Sequence, residues 1–231
     1  MKSPVIHEIL ERHKQDFAGL VPFDKQKDKL LLLDFTSQNH ELNEDLLMDT
    51  AKFSAYINQK LINAKARYGI GGYGEHRTLY RRSRIFEGEM GEEPRNIHLG
   101  VDIWGKPQTA VFCPLDGIVH SFAFNNQFGD YGATIVLSHQ LEGLSFHTLY
   151  GHLSFNSLKN LEGGNHIEKG DIFAEFGIPS ENGQWPPHLH FQVILDLQGN
   201  KGDYPGVCKF SEKEFYLNNC PDPKPFLPNG S

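Results

Sequence analysis

The chain has 231 residues and a formal net charge of −7. That length suits one good-sized domain with or without a smaller extension. The acidic balance excludes a dedicated nucleic-acid binder, which needs a Lys/Arg surplus to neutralise phosphates, and it argues against attachment to an anionic membrane by bulk charge.

No run of about 20 apolar residues is present to cross a bilayer, so no membrane partner is expected. The 23 Gly and 13 Pro point to a turn-rich, mainly β chain, and the 17 Phe to a well-filled core. The N-terminal text MKSPVIHEILERHKQDF is charged throughout and has no apolar signal core. A chain starting at Met1 is therefore expected in the cytoplasm. Cys113, Cys208 and Cys220 form no CxxC pair and are read as reduced thiols, with a Cys208–Cys220 bridge as the residual possibility.

In chain order, Val5, Ile6, Ile9, Leu10, His13 and Phe17 recur at helical spacing behind Ser3-Pro4, which suit an N-cap and first turn. Leu30 to Phe35 reads as a short strand. A second amphipathic helix opens at Asn43-Glu44-Asp45, with Leu46, Leu47, Thr50, Phe53, Ile57, Leu61 and Ile62 on one face, and fades near Arg67. Gly69 to Gly74 (GIGGYG) then breaks the pattern. From about Arg77 short alternating runs are separated by turn residues. Strands are predicted at His98–Ile103, Ala110–Cys113, Gly117–Phe124, Ala133–Gln140, Leu144–Leu149, Ile172–Phe176 and His190–Leu195. The expected architecture is thus mainly β with a helical N-terminal extension: residues 1–75 as the extension and 76–231 as a β-rich domain.

Twelve histidines are many for this length, and their grouping carries the chemistry. His98 and Asp102 lie four apart in one predicted strand, which would point them to the same side. His188 and His190 lie two apart on another and share a face. His152 stands beside a predicted turn between them. Two imidazoles and a carboxylate suit a catalytic zinc, leaving a position for water whose pKa the metal lowers to about 7. A further histidine near the open position could act as general base or stabilise an oxyanion. His7, His13, His40 and His166 read as surface or helix-face residues. His120 reads as a core residue, and His139 and His147 are ambiguous.

The residues then resemble a known family, the lysostaphin-like zinc metallopeptidases of the peptidoglycan endopeptidase type. The resemblance is carried by His98-Leu-Gly-Val-Asp102, Ala110 to Val119 (AVFCPLDGIV), Gly129 to Val136 (GDYGATIV), Tyr150-Gly-His152-Leu-Ser154, Ile167-Glu-Lys-Gly170, Phe176-Gly177 and Pro187-His188-Leu-His190-Phe191. It implies an antiparallel β-sheet sandwich with an open groove, and one zinc ion held by His98, Asp102 and His190. It also implies that His152 and His188 flank the attacking water and act as the catalytic pair. The implied partner is a peptide or peptidoglycan fragment, including glycine-rich peptides. Trp185 in the Pro179–Pro187 insert and the Gly202–Gly206 text (GDYPG) also resemble a subgroup of such domains joined to aminotransferases, which turns the expected substrate away from the cell wall.

Trp185 is a candidate substrate contact as a stiff wall beside His190. Arg77, just upstream of the first ligand, is a candidate reader of a substrate carboxylate. Its alternative is a surface salt bridge, or a segment that plugs the site. Two further readings compete with the peptidase: a non-catalytic zinc-binding or regulatory module on the same fold, and a histidine phosphocarrier of related β fold. Retention of every expected ligand weighs against the first, and Asp102 beside His98 against the second. Oligomeric state is left open by the sequence.

Overall fold

The computed structural model describes residues 2–87 and 92–228. Its elements in chain order are α1 (Lys2–His13), β1 (Leu30–Leu33), α2 (Glu44–Met48), α3 (Thr50–Ala64), β2 (Tyr68–Gly71), β3 (Arg95–His98) and β4 (Val101–Trp104). There follow β5 (Ala110–Phe112), β6 (Gly117–Asn125), β7 (Gly132–Leu141), β8 (Leu144–Leu153), β9 (His166–Ile167), β10 (Ile172–Glu175), β11 (His188–Ile194), β12 (Val207–Lys209) and α4 (Lys213–Asn219). Eight strands form one sheet in the order β1-β2-β4-β11-β8-β7-β6-β9, antiparallel throughout except for the β1–β2 pair. Two small pairs, β5–β10 and β3–β12, flank it. The fold is mainly β, as expected. Among the described residues no helix is long and apolar enough to cross a membrane.

The sheet is covered on both faces. Residues alternate across a strand, and β11 uses both sides. Leu189, Phe191 and Val193 join Val101, Ile103, Tyr68, Ile70 and Tyr150 in the largest core, which α1 covers with Ile6 and Leu10. His188, His190 and Gln192 occupy the opposite face and are buried as well. On that second face α3 places Phe53, Ile57 and Leu61 against Leu33, Phe35 and Trp104.

Four local expectations change. The second predicted helix is two: Asp49 leaves helical geometry (φ −99°, ψ 107°), and its carboxylate accepts from the amides of Ala51 and Lys52 to cap α3. The glycine-rich break is half strand, because Gly69 and Gly71 lie in β2 with Tyr68 and Ile70 on the core side. The single strand predicted over 98–103 is β3 and β4 with a bend at Leu99-Gly100. A Cβ at Gly100 would stand 2.6 Å from the Phe191 carbonyl oxygen and 2.8 Å from the His190 ring. Finally, residues 1–75 are more than a helical extension, since β1 and β2 join the sheet through β4. Hydrogen-bonding capacity at the edge of β4 demands a strand partner there, and the preceding segment supplies it. Cys113, Cys208 and Cys220 are buried free thiols, so the Cys208–Cys220 bridge is not formed.

Candidate metal centre and active-site groove

One row across the sheet sets the site. Gly71 of β2 pairs with Asp102 of β4, Asp102 with His190 of β11, and His190 with Gly151 of β8. The adjacent row pairs Gly69 with Trp104 and Trp104 with His188. Directly paired residues project from the same face, so the carboxylate and both β11 imidazoles emerge together. The flanking glycines leave room for two long side chains. A Cβ at Gly71 would meet Arg77 Nη2 at 2.6 Å, and one at Gly151 would meet the Tyr131 ring at 2.4 Å.

His98, Asp102 and His190 converge. His98 Nε2 lies 3.3 Å from Asp102 Oδ1, His190 Nδ1 lies 3.1 Å from the same oxygen, and the two nitrogens are 3.0 Å apart. The bend at Leu99-Gly100 makes this possible. On a straight strand, residues four apart are separated by about 13 Å, so the convergence of His98 and Asp102 comes from the bend and not from strand alternation.

Outer partners fix both tautomers. The Gly72 carbonyl can only accept, so His98 Nδ1–H donates to it at 2.8 Å. His190 Nε2–H donates to Gln192 Oε1 at 3.0 Å, with the Gln192 amide group turned to Pro205 O and Cys220 Sγ. Each inner nitrogen is therefore left with a lone pair. Burial, reinforced by Arg77, pushes His98 down to about 4. Burial alone would raise the Asp102 carboxyl, but the permanently charged Arg77 beside it holds it well below the usual range. Three acceptors thus face one another closely enough to hold one metal ion, and two imidazoles with one carboxylate are a donor set that suits zinc.

His152 and His188 stand beside this group. His152 Nδ1–H donates to Asn182 O at 2.9 Å and His188 Nδ1–H to Pro186 O at 2.8 Å, leaving both Nε2 atoms as acceptors. The two rings lie 4.1 Å apart, and His188 stacks on Trp104 at 3.9 Å and 12°. His152 holds a left-handed backbone (φ 62°), uncommon for a residue with a Cβ. Its N–H donates to Tyr131 O and its C=O accepts from Gly177 N, which together impose that conformation. Burial lowers both basicities: His188 is pushed down to about 4, and His152, further depressed by His188, lies well below its ordinary value.

Asp102, His152, His188 and His190 line one groove of about 340 Å³, together with Arg77, Tyr80, Trp104, Tyr131, Trp185 and Tyr204. Trp185 sits beside His152 and His188, with ring centroids 6.2 and 6.3 Å away, and Arg82 lies 4.5 Å over its ring. Arg77 is brought to the centre but not as an exposed reader. Its side chain is 1% exposed, and it donates to Glu75 Oε2, Asp102 Oδ2, Tyr80 Oη and Gly72 O. With most of its donors engaged inside the chain, neither the surface salt bridge nor a free carboxylate clamp describes it.

Residues 96–203 match the family described as peptidase family M23. This segment is similar to M23 peptidase domains and contains His98, Asp102, His152, His188 and His190. The family is one of zinc metallopeptidases that act on peptidoglycan peptides, and its His/Asp/His triad is intact here in His98, Asp102 and His190. Among solved structures, the chain is similar to the catalytic domain of the antimicrobial peptidase lysostaphin from Staphylococcus simulans. Identity is 22%, over 71% of this chain and 96% of that one, with a TM-score of 0.40. It is also similar to Csd3 from Helicobacter pylori, at 26% identity over 54% of this chain and 32% of that one, with a TM-score of 0.34. A zinc-containing peptidase from Vibrio cholerae is 24% identical over 42% of this chain and 27% of that one, with a TM-score of 0.34. The chain therefore spans nearly all of the lysostaphin domain but only about a third or a quarter of the other two. No match is found among curated proteins.

Several residues that build the M23 site escaped sequence reasoning. Gln192 had a legible signal, because it lies two residues beyond His190 on one strand and so shares its face. Tyr131, whose hydroxyl lies 3.4 Å from His190 Nε2, and Asn182 belong to loops and carried none. The ambiguous His139 is buried elsewhere, between Asp116 O and the Thr148 hydroxyl, and His147 packs against His120. His120 is exposed, not a core residue, because alternation along β6 puts it on the outward face with Ile118 and Phe122.

Proposed function

We propose that this chain is a zinc-dependent metallo-endopeptidase that hydrolyses a peptide bond in peptidoglycan-derived or glycine-rich peptides, with one zinc held by His98, Asp102 and His190. The observation that carries this reading is the set of three facing acceptors beside two unprotonated Nε2 atoms in one groove. Zinc, when bound, supplies a Lewis acid and a nucleophile at neutral pH.

The chain's own groups do the proton work. His188 or His152 Nε2 takes a proton from the attacking water as its oxygen bonds to the scissile carbonyl carbon. The other Nε2, also an acceptor, takes a hydrogen bond from the same water and orients it for attack. When the C–N bond breaks, the proton held on imidazole passes to the departing amine, so the bases are regenerated and one water is consumed. General acid–base catalysis of this kind contributes about 10²–10⁴-fold. Asn182 O and Pro186 O keep both Nδ1 atoms protonated, which keeps each Nε2 in the role of acceptor. Trp185 and Tyr131 line the groove in which an extended peptide would lie.

A phosphocarrier is disfavoured because the Asp102 carboxylate would repel a phosphoryl group on either neighbouring histidine. A purely regulatory module leaves the two outward Nε2 atoms without a purpose. The test is digestion of peptidoglycan fragments and glycine-rich peptides by the zinc-loaded protein, read by mass spectrometry. Cleavage that a chelator stops and His188→Ala removes is expected; products unchanged by both treatments would refute the reading.

A further inference from the structure

We propose that the segment from Gly72 to Arg77, which precedes the M23 match, is the positioning element of the metal centre: Arg77 holds Asp102 as a one-oxygen ligand, and Gly72 orients His98. This rests on the zinc reading above. The two oxygens of Asp102 have divided roles. Oδ2 accepts from Arg77 Nη1, while Oδ1 faces His98 Nε2 and His190 Nδ1. A carboxylate so held can neither rotate nor turn its second oxygen to the ion. The same segment reaches the other ligand of the bend: Gly72 O accepts from His98 Nδ1, Gly74 N donates to His98 O, and His98 N donates to Glu75 O. Two of the three candidate ligands are thereby oriented from outside residues 96–203.

A guanidinium beside a cation site would ordinarily weaken metal binding by repulsion. Glu75 answers this, because its Oε2 lies 2.7 Å from Arg77 Nε and makes the arm neutral overall. The arm therefore delivers a hydrogen bond to Asp102 at no net charge. Its socket is built by the N-terminal strands. Arg77 lies over the Phe35 ring at 5.1 Å, and Gly71, the direct sheet partner of Asp102, leaves the space that Nη2 occupies. Strands β1 and β2 thus have a role beyond covering an edge, since one ladder sets both the ligand and the pocket of the residue that aims it. Outer partners of metal ligands typically change metal affinity by about 10–100-fold.

The test uses the full chain and zinc, with affinity read by competition against a chromophoric chelator and coordination read from the visible absorption of the cobalt(II) form. Arg77→Met combined with Glu75→Gln removes the arm without leaving Glu75 unpaired, and Arg77→Lys keeps the charge but loses the fork. A 10–100-fold loss of zinc affinity with altered cobalt bands is expected for the double variant, and an intermediate loss for Arg77→Lys. Wild-type affinity and an unchanged cobalt spectrum in a folded double variant would overturn the inference and leave the zinc reading intact. Should the double variant not fold by circular dichroism, Arg77→Lys decides by the same two readouts. If the wild type binds no zinc, or His190→Ala binds it equally well, the zinc reading fails first and the inference with it.

Discussion

His98 Nε2 and His190 Nδ1 lie 3.0 Å apart, each turned to the other with a lone pair. Without a cation this is a repulsive contact, so metal binding and folding stability are linked. Zinc at about 100 times its dissociation constant adds about 2.7 kcal/mol. For a chain of this size that corresponds to a rise in melting temperature of roughly 5–10 °C. Calorimetry with and without zinc checks it, and His190→Ala should show no rise. Equal melting curves for the wild type would count against a metal at this site.

His188→Ala should keep zinc, because His188 is not among the three converging groups, yet lose about 10²–10⁴-fold in kcat. Trp104→Leu removes the ring on which His188 stacks and should lower kcat by about tenfold at unchanged zinc content. Metal analysis beside steady-state kinetics separates the two effects. Loss of zinc in His188→Ala would reassign it as a ligand.

Asn182 ties the insert to the groove. Its side chain bonds Gly177 O, Trp185 O and Trp185 N, and its backbone carbonyl holds His152. Asn182→Ala leaves those buried groups unpaired, at a cost of about 1–3 kcal/mol, and frees the His152 ring to turn. Denaturant melts should move to lower midpoints, and kcat should fall more than KM rises. A variant with wild-type stability would show that water replaces the side chain.

Burial pushes His98, His139 and His188 down to about 4. A histidine depressed in the folded state binds fewer protons there than in the unfolded chain. Stability is therefore full above the ordinary value near 6.5 and is lost as pH falls from there toward 4. Metal-free protein should melt markedly lower at pH 5 than at pH 7.5. His139 lies on the opposite face of the sheet from the metal centre, so His139→Gln should flatten that slope by its own share, at most about 3 kcal/mol. An identical slope in the variant would show that His139 binds its proton equally well in the folded and unfolded chain.

Much of the site was legible because its chemistry is tied to residue type and order. Asp102, His152, His188 and His190 line one groove, and His98 converges on Asp102 and His190 beside it. The period of two along β11 placed His188 and His190 on one face and would have added Gln192. The same argument misled for His98 and Asp102, since alternation says which side a residue faces but not how far apart two residues stand. The glycine tract was read as a break because glycine lacks strand propensity. In β2 its missing side chains are what the second face requires, with Leu33 against Gly69 and Arg77 against Gly71.

The sequence by itself determined the donor set, the mainly β fold and the order of motifs, because these depend on which side chains exist and how they alternate. Only the tertiary structure decided what Arg77 does. A basic residue upstream of a ligand looks the same in sequence whether it awaits a substrate carboxylate or is already paired with one. That Asp102 takes it depends on the register that sets Gly71 opposite Asp102 and on Glu75 neutralising the guanidinium. Register and charge balance arise between segments far apart in the chain, so no local reading contains them.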